Sequence, residues 1–207
     1  MADAADVVVV GLGPGGEELA GRLAQSGLDV VGIESTLLGG ECPYWGCVPS
    51  KMMLRAANLL AEGRRIPGMA GTSTVVPSWT PVAQRLAEAT DNWNDEGAVD
   101  RFEKKGGRFV RGHGRLVGPS TVAVGDQEFD ARRAVVLATG THSWTPPIPG
   151  LADVPYWTNR DAIEAAELPA SLVIVGGGAI AVELGQVFAR FGVAVTIVEV
   201  AERLLSM

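Results

Sequence analysis

One arrangement occurs twice in this chain and restricts its fold more than any other feature: an apolar run, a glycine-rich turn, a stretch with helical spacing, and a second apolar run closed by an acid. The first copy has apolar residues 7–10, the turn 11–16, the helical stretch 17–26 and the run 29–34. The second has residues 172–175, the turn 176–178, the stretch 180–191 and the run 195–199. Short continuous apolar runs flanking an amphipathic helix mark buried parallel strands. Each copy is therefore predicted to be a β-α-β unit, and the chain to be an α/β protein of Rossmann-like topology.

The turns carry the chemistry. Gly11, Gly13 and Gly16 stand in G-x-G-x-x-G spacing, with Pro14 and Gly15 between the last two. Gly11 permits a tight turn, Gly13 lets backbone N–H groups approach a pyrophosphate, and Gly16 allows helix and strand to pack closely. The start of the helix favours the anionic charge. Glu34 lies 23 residues after Gly11, where its carboxylate can accept hydrogen bonds from ribose hydroxyls. In the second copy Gly176 and Gly178 take the corresponding places, Ala181 replaces the third glycine, and Glu199 again follows the first glycine by 23 residues. An acid there bonds a free 2'-hydroxyl and repels a 2'-phosphate, which favours NAD over NADP. Glu183, in the second helical stretch, is open to two readings: a polar group of the site, or a helix residue that finds solvent.

Between the copies, Met52, Met53, Ala56, Leu59 and Leu60 predict a helix over 50–62, and residues 63–77 break the pattern. Residues 78–105 read as one further helix, polar on most faces, with Pro81 tolerated near its first turn. Short strands at 109–111, 115–117, 121–124 and 128–130 suggest a small antiparallel excursion, with Gly125 and Asp126 supplying a turn. Residues 134–138 read as a buried parallel strand ending in Ala138, Thr139 and Gly140. Pro146, Pro147, Pro149 and Pro155 exclude regular structure from 143–155, which reads as a connector. The expected division is a first nucleotide-binding domain over 1–150 and the start of a second over 151–207. A single β-α-β unit leaves sheet edges and apolar faces uncovered, so the second is expected to be truncated.

Composition narrows the alternatives. With 47% apolar residues in 207, the chain has ample material for a core, and its net charge of -7 argues against nucleic acid or an anionic membrane surface as partner. Asp3 and Asp6 precede the first apolar run, without a basic leader or a membrane-spanning stretch, so a cytoplasmic protein is expected. His113 and His142 are the only histidines, and no metal site is expected.

Cys42 and Cys47, the only cysteines, lie just beyond Glu34 in the segment Gly39-Gly40-Glu41-Cys42-Pro43-Tyr44-Trp45-Gly46-Cys47-Val48-Pro49-Ser50-Lys51. A structural bridge is uncommon in a reducing cytosol, which points to a catalytic or metal role. On a regular helix these thiols stand too far apart to bridge, but Pro43, Gly46 and Pro49 interrupt the helix enough for a disulfide. A helix start and Lys51 favour the thiolate, which suits thiol exchange. Tyr44 and Trp45 either shape a cleft or fill core space.

In this order, the GxGPGG turn at 11–16, Glu34, the GGxCxxxxCxPSK segment at 39–51, Ala138-Thr139-Gly140 and residues 176–183 resemble the class I pyridine nucleotide-disulfide oxidoreductases, which include dihydrolipoamide dehydrogenase, glutathione reductase and mercuric reductase. The resemblance spans the chain. It implies FAD on the first turn and NAD on the second. It also implies a catalytic set in which Cys47 lies against the flavin as charge-transfer thiol, Cys42 faces substrate as interchange thiol, and Lys51 sits near flavin N5. Gly40, Glu41, Gly114, Ala138, Thr139 and Gly140 would line the FAD, while Ile180, Glu183 and Glu199 would serve the NAD side. A homodimer acting on a small-molecule or protein disulfide is implied as well. The family commonly has Thr and a Leu-Asn or Val-Asn pair around the first cysteine; here stand Glu41, Pro43, Tyr44 and Trp45, so the substrate does not carry over. The family's C-terminal His-Glu acid/base pair has no counterpart among these residues, and neither His113 nor His142 occupies its place.

Three readings follow. In the first, NADH reduces FAD, the flavin reduces the Cys42-Cys47 disulfide, and the dithiol exchanges with a disulfide substrate, or the cycle runs backward. In the second, the flavin passes electrons to a quinone, a metal ion or another nucleotide, with the cysteines partly dispensable. In the third, the chain is an incomplete nucleotide-binding module without turnover of its own.

Overall fold

The computed structural model describes residues 2–206; Met1 and Met207, the outer limits of the two expected segments, lie outside them. In chain order the first elements are β1 (Asp3–Val10), α1 (Pro14–Gln25), β2 (Val30–Glu34), α2 (Glu41–Tyr44), α3 (Cys47–Arg65), α4 (Thr80–Ala89) and α5 (Glu96–Lys104). Four strands follow, β3 (Gly107–Arg111), β4 (Arg115–Leu116), β5 (Thr121–Val124) and β6 (Gln127–Leu137), then α6 (Asn159–Glu164), β7 (Ser171–Val175), α7 (Ala179–Arg190) and β8 (Ala194–Val198). They fall into two units. One holds the described residues up to Tyr44 together with Trp93–His142; the other holds Trp45–Asn92 together with the described residues from Ser143 onward.

The first unit is a six-stranded sheet in the order β3-β2-β1-β6-β5-β4, parallel from β3 to β6 and antiparallel from β6 to β4. The valines of β1 explain its central place, because alternate residues point to opposite faces and both faces are covered. Val8 and Val10 pack with Val31, Ile33, Val122 and Phe129, whereas Val7 and Val9 pack with Leu12, Ala20, Ala24 and Phe102. Phe102 of α5 lies flat on two glycines of the sheet: a Cβ on Gly107 would stand 2.3 Å from its ring, and one on Gly32 would stand 3.0 Å away. The antiparallel excursion is present as β4, β5 and the first part of β6, but the strand expected with them at 109–111 is β3, which pairs parallel with β2 at the opposite edge of the sheet.

Further expectations are corrected. The strands predicted at 128–130 and 134–138 are one continuous strand, β6, which pairs with β1 at Phe129–Ala131 and again at Ala134–Leu137. A bulge makes this possible: the register steps between Ala5 and Val7, and Arg132 and Arg133 opposite it both reach Asp6. Nor are residues 134–137 buried on all sides, since among the described residues they pair only with β1, and Leu137 is 59% exposed. The single helix predicted over 78–105 is two helices, α4 and α5, interrupted where Asp91, Asn92 and Trp93 take left-handed conformations with φ of 51°, 53° and 56°. Asparagine and aspartate tolerate that region, while helical spacing on either side conceals the break. Finally, the helix predicted from Ser50 begins at Cys47, with Pro49 inside its first turn, where its missing N–H costs nothing.

In the second unit α7 packs against α3 and against the two parallel strands β7 and β8. Gly185 permits a close approach, since a Cβ there would lie 3.1 Å from Ile174. Trp79 stacks on Phe188 at 5.7 Å and meets Phe191 edge-on at 5.1 Å, and its indole N–H donates to the Ala165 carbonyl at 2.8 Å. Residues 143–155 contain only the short 3-10 turn Leu151–Asp153, as the prolines require. No helix among the described residues is long and apolar enough to cross a membrane.

Candidate functional site

In the first unit the carboxyl ends of β1, β2 and β6 come together where strand order reverses, the position at which open α/β sheets bind ligands. Gly11 adopts φ +93°, and a Cβ on it would lie 2.3 Å from the Ala138 carbonyl oxygen. A Cβ on Gly16 would lie 2.0 Å from the Gly11 oxygen and 3.1 Å from the Ala138 side chain. Both glycines are thus demanded by the fold. Gly13 and Gly15 differ, because a Cβ on either meets nothing within 4 Å. Their bareness leaves open space beside the first amides of α1, whose N-cap is Gly13 and whose N1 residue is Pro14. This is a cradle suited to an anion.

Glu34 locks this turn. Its Oε2 accepts the Leu12 amide at 2.8 Å, and its Oε1 accepts the Thr36 amide at 2.9 Å and the Thr36 hydroxyl at 3.0 Å. A carboxylate has about four acceptor positions, so one remains for a ligand hydroxyl. The chain then folds back over the cradle. The Gly39 amide donates to the Leu12 carbonyl at 2.8 Å, and a Cβ on Gly40, which has φ +63°, would stand 2.7 Å from the Gly13 Cα. Glu41 and Cys42, both half-buried, open α2 immediately afterwards. Gly114 closes over the strand ends, a Cβ there lying 2.9 Å from Val10, while Thr139 and Gly140 are exposed beyond β6.

Sequence reasoning missed Asp95. Its buried carboxylate accepts the Leu38 amide at 2.6 Å and pairs with Arg111, which itself lies 4.7 Å over the Phe109 ring. Asp95 therefore holds the segment leading to Gly39 and Gly40. A signal was available: Asn92-Trp93-Asn94-Asp95-Glu96 is rich in residues that start helices and disfavour their interiors. Trp93, from the left-handed turn, donates its indole N–H to the Tyr44 carbonyl at 3.3 Å.

The second unit repeats the cradle. Gly176 adopts φ +106°, Gly178 caps α7 with φ -76° and ψ -177°, close to the -66° and -176° of Gly13, and a Cβ on Gly178 meets nothing within 4 Å. Glu199 accepts the Gly177 amide at 2.6 Å and the Ala201 amide at 2.8 Å. Hydrogen bonds from Ala201 and then Gly177 hold its carboxyl below the ordinary glutamate pKa, against a smaller opposing effect of desolvation. Ile180 is exposed at the start of α7.

Also in this unit, Cys47 is exposed as the first residue of α3, and Lys51, one turn on, bonds Glu183 of α7 at 2.6 Å. Glu183 is thus half-exposed and partnered by Lys51. With side chains 61% and 37% exposed, the pair contributes at most about 1 kcal/mol. Both cysteines are thiols. Tyr44 and Trp45 are both buried.

Sheet order and paired glycine turns define a Rossmann-type α/β protein. The sequence profile described as pyridine nucleotide-disulphide oxidoreductase matches residues 5–207, and the chain belongs to that family, as its motifs suggested. A mercuric reductase of Staphylococcus aureus is 32% identical over 201 residues, covering 96% of this chain and 36% of that protein. A dihydrolipoyl dehydrogenase of Halobacterium salinarum is 36% identical, covering 97% of this chain and 43% of its own length. Among solved structures, the Cu(II) complex of the HOCl-induced flavoprotein disulfide reductase RclA from Escherichia coli matches with a TM-score of 0.83 and 28% identity, over 99% of this chain and 44% of that one. The chain thus spans less than half the length of these relatives.

Proposed function

We propose that the complete protein is an FAD-dependent oxidoreductase that moves electrons between NAD(P)H, flavin and the Cys42-Cys47 disulfide to a disulfide or dithiol substrate. Residues 1–150 would supply the first FAD-binding segment, and residues 151–207 the start of an NAD-binding domain. One observation carries the reading: the segment that leads into Cys42 is fastened backbone to backbone on the first glycine turn, through Gly39 and Gly40. A redox thiol is thereby tied to a nucleotide cradle.

Bound FAD would supply a two-electron carrier, with Gly13, Gly15 and Glu34 holding its pyrophosphate and ribose. The chain's own residues do the thiol chemistry. Reduction of the disulfide by two electrons and two protons yields both thiols. The Cys42 thiolate then attacks a substrate disulfide and releases one thiol, after which Cys47 attacks Cys42, restores the disulfide and releases the second. Lys51, held by Glu183, places a positive charge one helical turn from Cys47. Glu199 favours NAD over NADP for the reason given by its charge. A cytoplasmic homodimer fits the family and a chain with only two cysteines.

The test uses the full-length holoprotein. Its visible spectrum should show flavin, with a long-wavelength band after anaerobic NADH that is absent in Cys47→Ser. NADH-linked reduction of lipoamide, glutathione disulfide or a protein disulfide should be lost in Cys42→Ser and Cys47→Ser alike. Full turnover in both variants, or a colourless protein, would overturn the proposal.

A further inference from the structure

We propose that Trp45 is a positioning residue for Cys47, held for that purpose by α6. The inference rests on the role given above to Cys47. Three different parts of Trp45 are gripped by three residues of one short helix. Its indole N–H donates to the Glu164 carboxylate, the Arg160 guanidinium lies 4.2 Å over its ring, and the Asn159 side-chain amide donates to its backbone carbonyl at 3.3 Å. Arg160 and Glu164 stand four residues apart, so they share a face of α6. The helix is itself secured by a reciprocal cap between Thr158 and Asp161 and by buried Ala162 and Ile163.

Filling a cavity would ask only for an apolar body and some acceptor for the N–H. Holding ring, N–H and carbonyl together fixes the orientation of the peptide that leaves Trp45. One residue then remains before the helix carrying the thiol: Gly46, whose φ of -131° and ψ of -112° are not helical, precedes Cys47 at the first position of α3. The direction in which α3 starts, and so the bearing of the Cys47 sulfur, follows from how Trp45 is seated.

Two variants of the full-length holoprotein separate the parts. Trp45→Phe keeps a ring beneath Arg160 but has no N–H, and Glu164→Ala removes the acceptor at an exposed residue without opening the core. Glu164→Gln keeps an acceptor and serves as the rescue. Flavin content and thermal midpoint report folding. The positioning readouts are the long-wavelength band after anaerobic reduction and the pH profile of Cys47 alkylation by iodoacetamide in a Cys42→Ser background. With flavin still bound, Trp45→Phe and Glu164→Ala should weaken the band, displace the alkylation profile, and lower kcat roughly tenfold to a hundredfold at nearly constant KM, the scale of a displacement of about 1 Å at a reacting atom. Glu164→Gln should restore all three. If Cys47→Ser abolishes the band while Glu164→Ala leaves band and profile as in the parent, positioning by α6 is refuted and the role of Cys47 stands. If the band persists in Cys47→Ser, that role fails, and this inference with it.

Discussion

The carboxylate of Glu34 accepts the amide of Leu12 at 2.8 Å, joining positions 22 residues apart, and Glu199 accepts the amide of Gly177 across the same interval. In both cases the second oxygen takes the amide two residues further on, from Thr36 or from Ala201. An acid whose spacing suggests a ribose contact is therefore also the fastener of its own turn. Glu34→Gln retains only one acceptor oxygen for three donors and turns an amide toward them. It should cost about 1–3 kcal/mol in denaturant unfolding of the flavin-free protein and reduce the flavin-to-protein ratio. Unchanged stability with lost flavin would assign Glu34 to the ligand alone.

Acid should weaken the second turn. The folded pKa of Glu199 is depressed, chiefly by the Ala201 amide and then by that of Gly177. Its contribution is therefore complete above the unfolded glutamate value of about 4.3 and is lost as pH falls through the folded value. The difference in thermal midpoint between the parent and Glu199→Gln should be constant from neutral pH down to about pH 5 and should shrink below it. A difference that grows on acidification would contradict the depressed pKa.

Two glycines of one motif should fail in different ways. Gly16→Ala forces a Cβ to 2.0 Å from the Gly11 oxygen, where backbone must move, and should abolish soluble folded protein. Gly13→Ala adds a methyl to open space at an ordinary negative φ and should leave the flavin-free protein within about 1 kcal/mol of the parent, while flavin binding is lost. Thermal unfolding and absorbance of each purified variant decide the matter.

Asp95→Ala leaves the Leu38 amide and Arg111 without their shared acceptor. The Leu38 side is fully buried, so the variant should lose about 1–3 kcal/mol and hold flavin less tightly, through the segment that ends at Gly40. Arg111→Ala should have the smaller effect, because Arg111 is 40% exposed and Asp95 keeps the Leu38 bond. Equal effects would show that the ion pair dominates.

Both glycine turns and their acids were legible because they answer to local demands, a positive φ at Gly11 and Gly176 and a close approach at Gly16, which leave little choice of residue. Family membership was legible for the same reason. Other features depend on partners distant in sequence. Arg132 and Arg133 look like an interruption until Asp6 appears across the bulge, and only then does β6 become one strand. Around Asp95 the residues 92–96 signal a helix start, but its partner Leu38 lies 57 residues away and is not marked by them. Glu183 and Trp45 likewise take their meaning from Lys51 and Glu164, more than a hundred residues away.

The pairing of β1 with β6 bears on how the chain is made. Val7 to Val10 leave the ribosome well ahead of Leu137; β2 soon covers one of their edges, but the partner for the other edge ends at Leu137. At ordinary rates of synthesis that interval is on the order of 10 s, during which an apolar, hydrogen-bond-hungry strand edge is exposed to other nascent chains. The strand that anchors the finished sheet is thus the one most in need of a chaperone while the sheet is unfinished.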